Sequence, residues 1–278
     1  MIFRRNNKGN GPVIVNEGRS LDGIDVLGFF TAEHGVGEAA RVLTSTLQTA
    51  GVSVSTIEYA DTQSRREHSF GCDNVSRNKV LMTAINADHL NAARDRLGVD
   101  FFTDRYVIGQ WFWELEEAPQ WFGPAFAHVD ELWAPTRFIE TMLRKHAPSR
   151  VQVKYVPLPV VTPKVDAGLT RARFGLDDRY MFLFAFDFMS VMKRKNPLGL
   201  LRAFARVRAA DHPDAMLAYV GDGPLAGAID AEVRALGLAG AVIRTGVLPN
   251  EGVTDWMTSA NVVAQVSAKM VFPIPRLV

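Results

Sequence analysis

The sequence predicts an α/β protein made of two Rossmann-like domains. Short apolar runs alternate with helical stretches along the chain, which is typical of βαβ units and parallel sheets. The proline-rich segment 157–163 (PLPVVTP) interrupts this alternation, because proline donates no hydrogen bond to a sheet and restricts the residue before it. We therefore expect one domain over residues 12–160 and a second, incomplete domain over residues 161–278.

In the first domain, buried parallel strands are predicted from apolar and β-branched runs. The predicted strands are residues 23–30, 52–59, 79–86, 106–112, 131–134 and 151–156. The predicted helices are residues 36–50, 87–97, 118–129 and 137–145, whereas the polar stretch 62–78 is predicted to be a loop. Residues before about Pro12 are expected to form a mobile tail.

In the second domain, the alternation restarts with predicted strands at 181–186, 215–220, 242–246 and 262–266. Helices are predicted at 197–209, 226–236 and 251–259, with Asn196 capping the helix that begins at Pro197. The remaining residues, 268–278, have no helical pattern that could cover the last strand, so this domain is expected to be incomplete.

Composition excludes several classes of protein. The 31 basic and 30 acidic residues give a net charge of +1, which is not that of a nucleic-acid-binding protein. The single cysteine, Cys72, cannot form an intrachain disulfide. No apolar run approaches the ~20 residues of a membrane span, and no secretory signal is recognisable. We expect a soluble, cytoplasmic protein that does not bind nucleic acid.

The first candidate site is a glycine loop. The segment GVGEAA (35–40) matches the G-x-G-x-x-G/A dinucleotide fingerprint, and Glu58 lies at about the expected distance. However, residues 31–34 intervene between the first strand and Gly35, whereas in the fingerprint the first glycine ends the strand. Gly35 and Gly37 are therefore compatible with a dinucleotide, with another ligand at the helix N-terminus, or with a plain turn.

The second candidate site is rich in aromatic and acidic residues. Three of the five tryptophans, Trp111, Trp113 and Trp121, lie within a few residues of one another. Aromatic rings pack against the C–H faces of sugars, but they also pack against one another in ordinary hydrophobic cores. The sequence supports a sugar-binding role and a core role for these tryptophans equally. Glu114 follows a predicted strand at the end that opens into a cleft, so it is the candidate catalytic carboxylate.

The third candidate site is cationic. Lys193, Arg194 and Lys195 lie between a predicted strand and a capped helix. Fixed positive charges beside free backbone N–H groups suit a diphosphate, although a solvated basic loop is the alternative. The histidines lack metal-ligand spacing and no Asp-x-Asp pair occurs, so no metal is expected.

Several segments taken together resemble family 4 retaining glycosyltransferases of the GT-B fold. They are WFWEL (111–115), DELWAPTRF (130–138), VPLPV (156–160), FAFDFMS (184–190) and RKNP (194–197). The loop around Gly35 and Gly37, with Arg41, is also similar to that family's N-terminal loop. The resemblance implies transfer of a hexose from a nucleotide-sugar with retention of configuration and without a metal cofactor.

The same resemblance implies roles for individual residues. Lys195 would be the main cation on the donor diphosphate, assisted by Arg194 and Ser190. Gly221 would allow close approach of the nucleotide, and the base would lie near Val247. Gly35, Gly37 and Glu114 would face a carbohydrate or lipid-linked acceptor, as in polysaccharide biosynthesis. A peripheral contact with a membrane is left open.

One feature of that family is absent from the sequence. Its Glu-x7-Glu motif has no counterpart, because no two glutamates are eight positions apart. A truncation is the simplest explanation, and we expect this chain to be a poor or inactive enzyme. The alternatives to a glycosyltransferase are a non-catalytic remnant that binds a nucleotide or carbohydrate, and a dinucleotide-binding oxidoreductase.

Overall fold

The computed structural model describes residues 15–160, 165, 171–176, 178–186, 188 and 192–266. The chain forms two compact units that divide between residues 161 and 162, here called unit 1 and unit 2. Each unit contains one parallel sheet with helices. The α/β class and the two Rossmann-like folds predicted from the sequence are confirmed. The predicted tail before Pro12 and the final residues 268–278 lie outside the described residues.

Unit 1 is a six-stranded parallel sheet with helices. Its strands are β1 (Val15–Gly28), β2 (Ser53–Glu58), β3 (Val75–Ala84), β4 (Tyr106–Gln110), β5 (Glu131–Ala134) and β6 (Gln152–Tyr155). Its helices are α1 (Gly35–Thr49), α2 (Ala87–Leu97), α3 (Val99–Phe102), α4 (Phe122–Phe126) and α5 (Arg137–His146). The strand order is β2-β1-β3-β4-β5-β6.

Side chains are buried on both faces of the unit 1 sheet, as parallel strands require. On one face, Leu27, Leu81 and Leu132 belong to a core shared with α2, α4 and α5. On the other face, Val26 and Met82 pack with Leu43 of α1. The order of strands reverses between β1 and β3, and ligands of open α/β sheets bind at the carboxyl ends of strands at such a point.

Unit 2 contains a four-stranded parallel sheet. Its strands are β7 (Met181–Ala185), β8 (Met216–Val220), β9 (Val242–Arg244) and β10 (Val262–Val263). Its helices are α6 (Met192–Lys195), α7 (Pro197–Ala210), α8 (Ala226–Ala235) and α9 (Asn250–Ser259), and a 3-10 turn lies at Arg171–Phe174. The strand order is β10-β7-β8-β9, so the reversal lies between β7 and β10.

The structure differs from the sequence prediction mainly at the start of the unit 1 sheet. The first strand begins at Val15 rather than at residue 23, and β3 begins at Val75 within the predicted loop. The two strands pair through register shifts near Ser20. The polar residues before Gly23 lack the alternation that predicts a strand. Their pairing with β3 depends instead on contacts with distant parts of the chain.

A buried ionic network provides those contacts. Asp25 accepts hydrogen bonds from the backbone N–H groups of Arg77 and Asn78 and from Asn78 Nδ2. Arg105 Nη2 lies 2.5 Å from Asp25 Oδ2, and neither side chain is exposed. Arg105 Nη1 also donates to Ser76 Oγ at 3.1 Å. Burial lowers the pKa of Arg105 to about 10, partly opposed by Asp25, so the guanidinium stays charged at neutral pH.

The predicted helix at 118–129 is also shorter than expected. Only α4, Phe122–Phe126, is helical, and the Phe122 N–H donates to the Pro119 carbonyl in a turn that precedes it. Pro124 donates no backbone hydrogen bond, which limits how far a helix extends here. Residues 113–121 consequently form an irregular segment after β4 rather than a helix.

Candidate functional site

The glycine loop lies at the strand-order reversal of unit 1, where β1 leads into α1. His34 is the N-cap of α1, and its Nδ1 accepts a hydrogen bond from the Gly37 N–H at 3.0 Å. In the neutral imidazole the proton therefore resides on Nε2. A Cβ at Gly37 would lie 2.6 Å from Phe29 O and 2.7 Å from Ala32 O. Gly37 is thus required by the close packing of the loop on its own helix.

We expect Gly37→Ala to destabilise unit 1 by about 1–3 kcal/mol, because the atoms that would clash with the new methyl group are backbone carbonyls. Gly35→Ala is the matched control, since nothing lies within 4 Å of a Cβ at that position. Urea denaturation of both variants measures the difference. Equal stability of the two would contradict a packing role for Gly37.

Arg41 belongs to the same loop. Its Nη1 donates to the carbonyls of Phe30 at 2.7 Å and Ala32 at 3.0 Å, and its Nε donates to Glu38 at 2.9 Å. The side chain is only 9% exposed. Arg41 is therefore not an exposed residue of α1. Arg41 fixes the conformation of the loop from within.

Glu58, the acidic residue of the dinucleotide fingerprint, is engaged by the protein itself. Thr31 Oγ1 donates to Glu58 Oε1 at 2.7 Å, and the Thr31 N–H donates to Oε2 at 3.2 Å. Arg66 Nη2 lies 3.5 Å from Oε1. In dinucleotide-binding folds the corresponding carboxylate binds ribose hydroxyls. Because Glu58 instead holds the loop after β1, this geometry disfavours a dinucleotide site.

Cys72 lies beside this carboxylate, with its Sγ 3.8 Å from Glu58 Oε2. Burial, together with the charge of Glu58, raises the pKa of Cys72 to about 12. The thiol is therefore protonated at neutral pH and is a poor nucleophile.

The acidic and aromatic segment leaves the sheet at the carboxyl end of β4. The Phe112 N–H donates to Asn86 Oδ1 at 2.8 Å, which joins this segment to the residue two positions beyond the end of β3. Glu114 lies two residues further on and is half-buried. The carboxyl ends of β1, β3 and β4 are neighbours in the sheet, so the Gly35–Gly37 loop and Glu114 lie at the same edge of unit 1.

The three tryptophans have different environments. Trp111 is fully buried and packs against Phe122 and Phe126, with ring centroids 5.5 and 5.3 Å away. Trp113 is half-buried, and its Nε1 donates to the Glu117 carbonyl at 2.9 Å. Trp121 is 43% exposed. The core explanation therefore holds for Trp111, whereas Trp121 presents an aromatic surface to solvent.

In unit 2, α6 contains Lys193, Arg194 and Lys195, and it lies between β7 and α7 in the chain. Lys193 is exposed, whereas Arg194 and Lys195 are half-buried. Asn196 occupies the N-cap position of α7 with φ 55°, and its side chain makes no capping hydrogen bond. Asn196 is thus the N-cap residue that the sequence predicts, but its side chain does not form the capping hydrogen bond. Instead, Asn196 Nδ2 donates to the Val266 carbonyl at 3.4 Å, which joins the start of α7 to the residues after β10.

Gly221 and Val247 lie at the carboxyl ends of neighbouring strands. The Gly221 N–H donates to Gly246 O at 3.0 Å, so the turn after β8 pairs with the residue before the exposed Val247. Gly221 has φ 131°, and a Cβ there would lie 2.6 Å from the Phe188 ring. The ring of Phe188 stacks on Phe186 at 4.4 Å. The group that closely approaches Gly221 is thus the protein's own aromatic stack of Phe186 and Phe188.

The structure distributes the predicted site residues over both units. Gly35, Gly37 and Glu114 belong to unit 1, and Arg194, Lys195, Gly221 and Val247 belong to unit 2. Ser190 lies outside the described residues. Neither Asn86 nor the anchoring role of Arg41 could be recognised in the sequence, because both depend on contacts that only the fold creates.

The described residues contain neither a metal-binding cluster nor a helix that could span a membrane. Within these ranges, no three His, Cys, Asp or Glu side chains form a group that could hold a metal ion. No helix in the described part of the chain has the length and apolar character needed to cross a membrane.

Comparison of the sequence with protein-family models and with curated proteins gives no match. Solved structures are similar in fold. Sucrose-phosphate synthase from Thermosynechococcus elongatus aligns over 91% of this chain and 77% of its own, with a TM-score of 0.69 and 14% identity. A UDP-forming α,α-trehalose-phosphate synthase from Burkholderia xenovorans aligns over 89% and 78%, with a TM-score of 0.58 and 10% identity.

The glycosyltransferase WaaG, which is involved in lipopolysaccharide biosynthesis, aligns over 88% of this chain and 75% of its own. The TM-score is 0.56 and the identity 14%. At these identities the likeness establishes the fold. The chain has the GT-B architecture of these glycosyltransferases, with a six-stranded and a four-stranded parallel sheet.

Proposed function

We propose that this protein is a glycosyltransferase that moves a sugar from a nucleotide-sugar donor to a carbohydrate or lipid-linked acceptor with retention of configuration. The observation that carries the proposal is the position of α6. Three consecutive cations lie between the carboxyl end of β7 and the N-terminus of α7, at the strand-order reversal of unit 2. Ligands of open α/β sheets bind at this position.

The chemistry of α6 suits a diphosphate. Lysine and guanidinium groups make charge-assisted hydrogen bonds to phosphate oxygens. The positive end of the α7 dipole adds to the attraction. Half-burial of Arg194 and Lys195 strengthens such contacts, because the local dielectric constant is lower than in water.

In the proposed reaction an acceptor hydroxyl oxygen forms a bond to the anomeric carbon on the same face from which the diphosphate oxygen departs, so that one bond forms as the other breaks and the configuration is retained. Negative charge develops on the departing nucleoside diphosphate, and Lys195 and Arg194 stabilise it electrostatically. We propose that Glu114 accepts the proton of the attacking hydroxyl as a general base. A metal ion is not part of this proposal.

The unit 1 site supports this function better than it supports an oxidoreductase. Both oxygens of Glu58 accept hydrogen bonds from Thr31, and Gly37 is in contact with its own loop. The structural neighbours include a sucrose-phosphate synthase and a UDP-forming α,α-trehalose-phosphate synthase, which favours a sugar-transferring enzyme for this chain.

The expected result for Lys195→Ala is a loss of affinity for UDP or GDP by about 10- to 100-fold, because one charge-assisted contact is removed. Isothermal titration of the full chain with each nucleotide measures the change. Lys79→Ala is the matched control, since Lys79 is an exposed lysine of β3 in the other unit. Unchanged affinity in Lys195→Ala would show that the donor site is assigned to the wrong residues.

A further inference from the structure

We propose that Trp121 is the platform on which a neutral sugar ring of the acceptor stacks. This inference rests on the proposed function, because it specifies how that enzyme would recognise its acceptor. Of the five tryptophans, Trp121 is the most exposed, at 43%. Aromatic faces pack against the C–H face of a pyranose, and an exposed, fixed tryptophan provides that surface.

The indole ring of Trp121 is held in place by its neighbours. Its centroid lies 5.4 Å from the Trp113 ring at an interplanar angle of 88°, and 4.7 Å from the Phe122 ring. Trp113 is in turn fixed by the hydrogen bond from its Nε1 to the Glu117 carbonyl. A platform that is ordered before binding loses little conformational entropy when a ligand stacks on it.

The segment that carries Trp121 is tied to α5. The Glu117 carboxylate forms an ion pair with Lys145, and His146 Nε2 lies 3.0 Å from Glu117 Oε2. The Lys145 and His146 contacts hold the pKa of Glu117 below its usual range. Residues 113–121 are therefore anchored at three points, through Trp113, Glu117 and the Phe122 ring.

The charges around Trp121 favour a neutral sugar over a lipid surface. Residues 113–121 contain three glutamates and no basic side chain. Carboxylates accept hydrogen bonds from sugar hydroxyls, whereas they repel anionic lipid headgroups. The basic residues of neighbouring α5 are paired with acids: Lys145 with Glu117, and Arg137 and Arg144 with Glu140. The exposed tryptophan is therefore not part of an unpaired basic surface.

The position of the segment is also appropriate for an acceptor. Trp113 and Glu114 are adjacent in sequence, and both follow the carboxyl end of β4. A sugar stacked on Trp121 would thus bind to the same irregular segment that presents the proposed general base.

The test uses the full chain labelled with 5-fluorotryptophan, whose five resonances are followed by ¹⁹F NMR. The probes are maltotetraose, cellotetraose and chitotetraose, and the Trp121→Phe variant assigns the Trp121 resonance. We expect at least one oligosaccharide to shift that resonance in a saturable way. Trp121→Ala should weaken binding about tenfold, and Trp121→Phe less. Leu21→Ala removes another exposed apolar side chain of unit 1 and should leave binding unchanged.

Three outcomes would overturn the inference. They are the absence of a shift with all three probes, equal affinity in Trp121→Ala and the unaltered chain, and a response of Trp121 only to vesicles that contain anionic phosphatidylglycerol. Circular dichroism confirms that each variant is folded. Titration of the unaltered chain with UDP separates the two proposals. If the chain binds an oligosaccharide but not UDP, the proposed function is contradicted and the role of Trp121 in sugar binding is retained.

Discussion

Replacing Asp25 by alanine is expected to destabilise unit 1 by about 3–5 kcal/mol. The Asp25 carboxylate is completely buried and is the acidic partner of the equally buried Arg105. Its removal leaves a guanidinium charge without its counter-ion and deprives Asn78 Nδ2 and two backbone N–H groups of their acceptor. Because this network braces the irregular pairing of β1 with β3, the loss should affect the whole sheet.

Tryptophan fluorescence during urea denaturation measures this change selectively. Four of the five tryptophans, at positions 111, 113, 121 and 133, belong to unit 1. Asp22→Ala is the matched control, since Asp22 is exposed on the same strand, and its loss should cost at most about 0.5 kcal/mol. If Asp25→Ala lowered the free energy of unfolding by as little as Asp22→Ala does, the structural role of the network would be contradicted.

Replacing Glu114 by glutamine is expected to lower the rate of sugar transfer by about 10²- to 10⁴-fold, the range typical of general acid–base catalysis. The amide keeps the size of the side chain but cannot accept the proton of the attacking hydroxyl. Radiolabelled donor sugar allows slow transfer to be measured. Affinity for UDP should not change, because Glu114 belongs to unit 1 and the proposed diphosphate contacts belong to unit 2.

Glu116→Gln is the control for Glu114→Gln, since Glu116 is an exposed carboxylate two residues further along the same segment. It should retain the transfer rate of the unaltered chain. If both variants retained that rate, Glu114 would not be the general base. If both lost it equally, the effect would belong to the charge of the segment rather than to one residue.

The fold could be predicted from the sequence because buried parallel strands have a strong local signal. Runs such as VLGFF before the glycine loop and MLAYV in β8 are apolar and buried on both faces, and the helices between them are periodic. The start of β1 could not be predicted, because its polar residues pair with β3 through bulges that depend on the buried Asp25–Arg105 pair. Those two residues are 80 positions apart in the sequence.

The candidate site was only partly predictable for a similar reason. The sequence identified the glycine loop, but it could not show that the space beside Gly37 is occupied by the carbonyls of Phe29 and Ala32. It also could not distinguish the buried Trp111 from the exposed Trp121, because both lie in one aromatic segment. Glu58 fits a ribose-binding carboxylate by spacing alone, and only its hydrogen bonds to Thr31 reveal its structural role.

The most direct test of the central claim is calorimetric titration of the unaltered chain with UDP, GDP and NAD under identical conditions. A nucleotide-sugar-dependent glycosyltransferase should bind at least one of the two nucleoside diphosphates, and NAD should bind much more weakly. Saturable binding of NAD, with no binding of UDP or GDP, would contradict the account and identify the Gly35–Gly37 loop as a dinucleotide site.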